Sequence, residues 1–356
     1  MAKAITELFE GAGCRVIGSD LKNPSGLTSQ EVAQQADVLF VSILPISRVA
    51  TVILDLVPYV RRGALLLHGT SVQNPVLHPI SPVLLDDRLV QNGVTTGFCH
   101  LKFGPSVGSF RGQAVIFGLL NEPEKEWRPW LLNILKGRQM RVLLSDPTSH
   151  DLLTTSTQVV PMISSLVNGH VWRSGSFNLG QVLDVAGPPA VLQMLGVLRN
   201  LSQPRVLAEI LVNHPGTAGV IKKEIEALQM IREACRNGDV AFISQLAEEE
   251  LRGLPESRQA TVRAVTDWHI RTEGDLRGGA ICFQFQSAEN RIGLLSDVLL
   301  VFDQHQLQKT SCMAQEIPGG DCIFYIGLKD IESPQVEIAS QEILEKYGGK
   351  IVAVSR

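Results

Sequence analysis

Two continuous apolar runs, Val38–Leu44 (VLFVSIL) and Ala64–Leu67 (ALLL), constrain the fold most. A strand with one wet face alternates apolar and polar residues; these do not, so both faces must be buried. That pattern belongs to a parallel sheet covered by helices on both sides. Pro45 ends the first run, and Ser47–Val57 reads as the helix that follows. The second run leads into His68-Gly69-Thr70-Ser71-Val72-Gln73. In an open parallel sheet the strand C-termini face the ligand crevice, which makes Leu44, Pro45, Thr70 and Ser71 candidate cofactor or substrate contacts. Ser71 could equally cap the next helix. Val94–Gly97 leads into the turn-like stretch HLKFGP (100–105), and Ala114–Gly118 is a further strand. Glu122–Lys136 reads as an amphipathic helix, and Met140–Leu144 closes the sheet.

Ahead of these runs, Met1–Gly11 has Ile5, Leu8 and Phe9 on one helical face, with Gly11 and Gly13 as the stop. Cys14–Gly18 reads as a short strand ending at Asp20. Helix, tight turn, strand and acid form the second half of a dinucleotide-binding βαβ unit, where the acid bonds the adenosine ribose and favours NAD over NADP. Asp20 could instead simply open a loop. In that unit Ala2 takes the third small position of the glycine fingerprint, and the opening strand and first glycines would precede Met1. Met1 is accordingly expected to be an internal methionine.

From Thr148 onward the pattern turns helical. Thr148 or Ser149 reads as an N-cap to a long helix beginning near His150. Pro188–Arg199, Pro204–His214 and Thr217–Asn237 carry apolar stripes suited to core or dimer contact. Leu251–Asp275 is charged and linker-like. Ala280–Phe285, Asn290–His305, Leu307–Ile317, Cys322–Gly327, Ser333–Tyr347 and Lys350–Val354 then follow the order βαββαβ, with Pro318-Gly319-Gly320 as a hairpin turn.

With 356 residues, several domains are expected. The expected architecture is α/β: a Rossmann-like parallel sheet over 1–147 without its first strand, an all-helical domain over 148–273, and a βαββαβ ferredoxin-like module over 278–356. A net charge of −4 offers no basic field for nucleic acid. No apolar run is long enough to cross a bilayer. Six scattered cysteines without a CxxC pair fit reduced thiols in a cytoplasmic protein and suggest no metal site.

The run xGTSVxxPV, then xxGFCHxxFGPxxGSFxGQAVIF, then His150-Asp151, resembles the prephenate/arogenate dehydrogenases of tyrosine biosynthesis. The family reads D-x-x-S-V-K where this chain has His68 to Gln73, and H-P-M-F-G-P where it has His100 to Pro105. The resemblance implies NAD-linked oxidation of a cyclohexadienol hydroxyl with loss of the ring carboxylate as CO2. It assigns His100 as the proton acceptor and Ser71 as the residue that fixes the hydroxyl and orients the imidazole; a neutral histidine suits that task near pH 7. The bland alternative for His100 is a buried ring behind a turn. Further family histidines would fall at Gln158, Val159 and Met162, of which Gln158 can still bond a ligand. The family's carboxylate-binding arginine falls near Met194 or Leu198, with Arg199 one step off and Arg173 as another candidate. Lys102 could serve a substrate carboxylate, or be a solvated surface lysine.

The C-terminal module resembles an ACT domain, with N-R-x-G-L-L as its ligand turn. Asn290 and Gly293 are the implied regulatory residues for an aromatic amino-acid effector; Gly293 could instead only ease a tight turn. The family's helical domains pair subunits, so a homodimer is implied. The changed positions leave two other readings open: a non-catalytic relative kept for binding or regulation, and an NAD(P) dehydrogenase acting on another carboxylic acid.

Overall fold

The computed structural model describes residues 2–20, 26–84, 89, 91–104, 109–121, 127–175, 182, 185–253, 265–266, 279–316 and 320–355. The chain divides into two units, residues 1–176 with 196–228 and residues 177–195 with 229–356.

The first unit holds a five-stranded sheet of β1 (Val38–Val41), β2 (Leu65–His68), β3 (Thr95–Leu101), β4 (Ala114–Leu119) and β5 (Arg141–Leu144), in that spatial order. β1, β2 and β3 run parallel; β4 is antiparallel to β3 and parallel to β5. Both faces of β2 and β3 are covered, which is why those strands lack alternation. On one face Leu39, Val41, Leu66, Phe98 and Ile116 pack with α2 (Ser29–Gln35), α3 (Val49–Leu56) and α4 (Asn74–Leu84). On the other, Leu65, Leu67, Cys99, Val115 and Phe117 pack with α1 (Ala2–Glu10) and α5 (Trp127–Gly137). Strand residues of opposite parity thus serve opposite cores. The first five residues expected in the helix 122–136 lie outside the described residues.

The expected strand Cys14–Gly18 is not one: residues 14–20 join no ladder. Cys14 N–H instead donates to Phe9 O, at the end of α1. Between this segment and the outer edge of β1 runs a groove of about 810 Å³, bordered by Ala2, Phe9, Val16, Val38, Phe40 and Ile43. A strand exists only where its N–H and C=O groups find partners.

Past the sheet come α6 (Pro147–Thr154), one π-helical turn at Thr155–Val159, and α7 (Val160–Ser174). The cap of α6 is Asp146, whose carboxylate accepts from the N–H groups of Thr148 and Ser149, so neither of those two is the N-cap. The expected single helix is therefore broken by a π turn, a feature that often marks functional sites. α8 (Pro188–Leu201), α9 (Pro204–Asn213), α10 (Thr217–Asn237) and α11 (Val240–Arg252) follow. Most of the expected linker, residues 254–264 and 267–275, lies outside the described residues.

The second unit contains an antiparallel sheet of β6 (Ala280–Phe285), β7 (Lys309–Glu316), β8 (Cys322–Leu328) and β9 (Lys350–Ser355), ordered β7-β8-β6-β9. α12 (Leu294–Gln304) and α13 (Pro334–Tyr347) share its core, with Phe283, Phe285, Val298, Phe302, Ile326 and Ile343 at the centre. α12 begins at Leu294 rather than at Asn290. Gly293 precedes it at φ 89°, a left-handed conformation that favours glycine. Two hairpin-turn residues, Pro318 and Gly319, lie outside the described residues. Among the described residues no helix is long and apolar enough to cross a membrane.

Candidate active site

The parallel register builds the site. His68, the last residue of β2, pairs with Val41 of β1 and Phe98 of β3. His100 lies two residues beyond Phe98 and so emerges on the same face, the one that carries α4. His100 is not at a turn, as the sequence suggested. It sits within β3 opposite Ile116, and the pairing continues as Lys102 N–H donates to Ala114 O. His68 and His100 are each 2% exposed. Pro105 of the same motif lies outside the described residues.

α6 brings two more groups to that face. His150 Nε2 lies 2.8 Å from His100 Nδ1, and its Nδ1 lies 2.9 Å from Asp151 Oδ1. Asp151 also accepts from the backbone N–H groups of Gln73 on Oδ1 and Asn74 on Oδ2, both at 2.8 Å. These are free donors at the start of α4, so a carboxylate from a distant helix caps it. The cap expected from Ser71 is therefore supplied by Asp151. The far side of α6 is anchored by His214: its Nε2 lies 3.0 Å from Asp151 O and 3.1 Å from Thr154 Oγ1, while its Nδ1 accepts from Gly216 N–H.

Burial governs the protonation of the cluster. His68 is pushed down to about 3, first by desolvation and then by its electrostatic coupling to His150. His100 is held well below the usual histidine range by desolvation, then by Lys102, His150 and His68. Both rings are neutral at pH 7. For Asp151, desolvation pulls upward, but the bonds from His150, Asn74 and Gln73 outweigh it and keep the carboxyl below its ordinary value. Lys102 is half-buried, its Nζ donates to Thr157 Oγ1 in the π turn, and desolvation lowers it to about 8. It is not a solvated surface lysine.

Three acceptors in this region, His68 Nε2, Gln73 Oε1 and Gln158 Oε1, are buried without a hydrogen-bond partner. Such atoms cost roughly 1–3 kcal/mol each unless something donates to them. Among the described residues, no group of three His, Cys, Asp or Glu side chains is disposed to hold a metal ion.

The other sequence-derived candidates scatter. Thr70 is buried, and its hydroxyl is committed to His68 Nδ1 and Val72 O. Ser71 is half-buried next to it; the ring partner of His100 is His150, not Ser71. Gln158 sits half-buried in the π turn. Arg199 is exposed on α8; its neighbour Asn200 is the residue turned toward α7, bonding Ser165 Oγ at 2.9 Å. Arg173 is exposed too. Ala2 borders the groove beside β1, Asp20 is exposed, Leu44 is 50% exposed and Pro45 is half-buried at the exit of β1. In the second unit Asn290 donates to Gly320 O at 3.3 Å, next to Gly293. Sequence reasoning noted His150-Asp151 as a motif but gave the pair no role. The signal was present: a buried carboxylate beside a histidine needs several donors, and a helix start supplies them.

No family model matches this chain. It is 24% identical over 327 residues to a probable arogenate/prephenate dehydrogenase of Methanocaldococcus jannaschii, a match spanning 87% of this chain and 71% of the relative. Among solved structures, it is similar to Synechocystis arogenate dehydrogenase (TM-score 0.45, 14% identity, 62% of this chain and 79% of that one). It is also similar to Aquifex aeolicus prephenate dehydrogenase solved with hydroxyphenyl propionate and NAD+ (TM-score 0.48, 14% identity, 63% of this chain and 78% of that one).

Proposed function

We propose that this chain is an NAD-dependent oxidoreductase that oxidises and decarboxylates prephenate or arogenate in tyrosine biosynthesis. The observation that carries the reading is the neutral, buried His100, held through Nδ1 by His150 at the C-terminal end of the parallel sheet. A base there takes the proton of a ring hydroxyl through its other nitrogen. The same imidazole can return that proton to the phenolate oxygen once the ring carboxylate has left as CO2 and the ring is aromatic. Lys102 offers a cation to a substrate carboxylate, and Ser71 is positioned beside the strand end to bond the hydroxyl.

NAD+ supplies the hydride acceptor when bound. The exit of β1 supports this cofactor: Ser42, Ile43 and Ser19 border the groove that Ala2 reaches at the N-terminal end of α1. Exposed Leu44 and half-buried Pro45 continue that surface, and a helix N-terminus favours a pyrophosphate. Asp20 is the ribose candidate.

On α10, Ile221, Ile225 and Leu228 form an exposed stripe (41%, 50% and 53%) that supports pairing of two copies. The βαββαβ unit, with its Asn290–Gly293 turn, would act as an ACT domain taking an aromatic amino acid.

The test is direct. Purified protein given NAD+ and either prephenate or arogenate should produce NADH, and His100→Asn should remove about 10²–10⁴-fold of that rate. Absence of turnover with both compounds rejects the assignment.

A further inference from the structure

We infer that Asp151 and His150 form a positioning relay that dictates which nitrogen of His100 is basic. This deepens the dehydrogenase reading and rests on it for its catalytic meaning. Asp151 accepts both backbone N–H groups at the start of α4, so it is an ionised acceptor with no proton to give. The His150 nitrogen facing it, Nδ1, must therefore carry hydrogen and donate.

A second, independent contact fixes the other side of that ring. Gln73 Nε2 donates to Thr70 O at 2.8 Å, which orients the amide, and the same NH2 group lies 3.4 Å from His150 Nε2. A nitrogen faced by an amide donor is an acceptor. His150 is thus the neutral Nδ1–H tautomer, and its Nε2 has one lone pair to offer at 2.8 Å from His100 Nδ1. His100 must then hold its proton on Nδ1 and present Nε2 as a lone pair. The titratable groups around it are His68 from β2, Lys102 beyond β3, and His150 and Asp151 from α6.

The relay also gives the incoming charge somewhere to go. When His100 Nε2 takes the substrate proton, its Nδ1 proton can pass to His150 Nε2. His100 is then neutral with its hydrogen on Nε2, and the imidazolium sits on His150, against the Asp151 carboxylate. The reverse transfer restores the starting state. No atom is gained or lost, and the positive charge ends paired rather than isolated in a buried site.

The experiment is ¹⁵N NMR of protein labelled at histidine, which reads the tautomer of each ring, with assignments from single histidine substitutions. In wild type, His150 and His100 should both show protonated Nδ1 and bare Nε2 at neutral pH. His150→Phe keeps a ring against Phe98 but removes the acceptor, so the proton of His100 should shift toward Nε2. With substrate, kcat of that variant should fall at least about tenfold with KM unchanged, as when an imidazole presents the wrong nitrogen. A wild-type His100 protonated on Nε2 overturns the relay, and this holds even if the variant fails to fold. So does an unchanged His100 tautomer in His150→Phe. If wild-type protein turns over neither prephenate nor arogenate, only the dehydrogenase reading falls, because the spectrum still decides the relay.

Discussion

The two ends of the strand series β1 to β3 make a sharp contrast. Where β2 and β3 end, polar groups are buried and linked: one carboxylate takes three donors, and two imidazoles join it in a chain, while His68 Nε2, Gln73 Oε1 and Gln158 Oε1 stay without a partner. Along the outer edge of β1, by contrast, a groove of about 810 Å³ with a mixed polar and apolar lining separates the strand from residues 14–19. The first region is closed by side chains reaching across the fold. The second lies at the sheet's edge: among the described residues, no strand pairs with the outer side of β1. Side-chain bonds from distant elements thus close the first region, whereas the β1 edge is bordered by a groove.

The contrast can be broken by stability. Asp151→Ala leaves two backbone donors and a ring N–H unpaired in the interior, so a loss of about 3 kcal/mol is expected. Val16→Ser, at the groove, should cost less than about 1 kcal/mol by the same denaturant titration. Equal costs would mean the groove is as tightly packed as the cluster.

Acid sharpens it next. His68 and His100 are buried and neutral, with folded values below the ordinary one. The unfolded chain therefore binds more protons than the folded chain once pH drops below ~6.5. Stability contributed by each ring is full above that value and declines toward about 3 for His68, at up to roughly 1.4 kcal/mol per pH unit. His68→Gln should flatten this slope in melts between pH 6.5 and 4; an unchanged slope would show that His68 is not held neutral.

A smaller effect concerns Lys102, whose charge lowers His100. Lys102→Met should move the acid limb of kcat/KM to higher pH by a fraction of a unit. A shift to lower pH would rule out the electrostatic link. The smallest effect is in hydrogen exchange along β1. Leu65 N–H bonds Asp37 O and Gly69 N–H bonds Val41 O, so the parallel ladder turns the Leu39 and Val41 amides toward β2. Val38 and Phe40 amides face the groove and should exchange faster; equal protection would mean that edge is covered.

Much of the sheet was legible because short unbroken apolar runs such as Leu65–Leu67, bounded by turn residues, suit a strand buried on both faces. Cys14–Gly18 was misread because its residues suit a strand, and strand formation depends on a neighbour. His100 was read as belonging to a turn because His-Leu-Lys-Phe-Gly-Pro looks like one; the antiparallel partner β4 carries the strand through it. Arg199 shows how much helical phase matters: one residue turns a side chain by about 100°, and here Arg199 is exposed while Asn200 bonds Ser165 on α7.

The amino-acid order by itself determined the elements whose signals are local: buried strands from continuous apolar residues, helices from their periodicity, and the glycine before α12 from its backbone demand. The tertiary structure alone decided the bonding of the site. Asp151 is 78 residues from Gln73, and His150 is 50 from His100. Hydrogen-bond partners that far apart are chosen by where the register and α6 place them, because direction and distance at the ångström level are not written in local sequence.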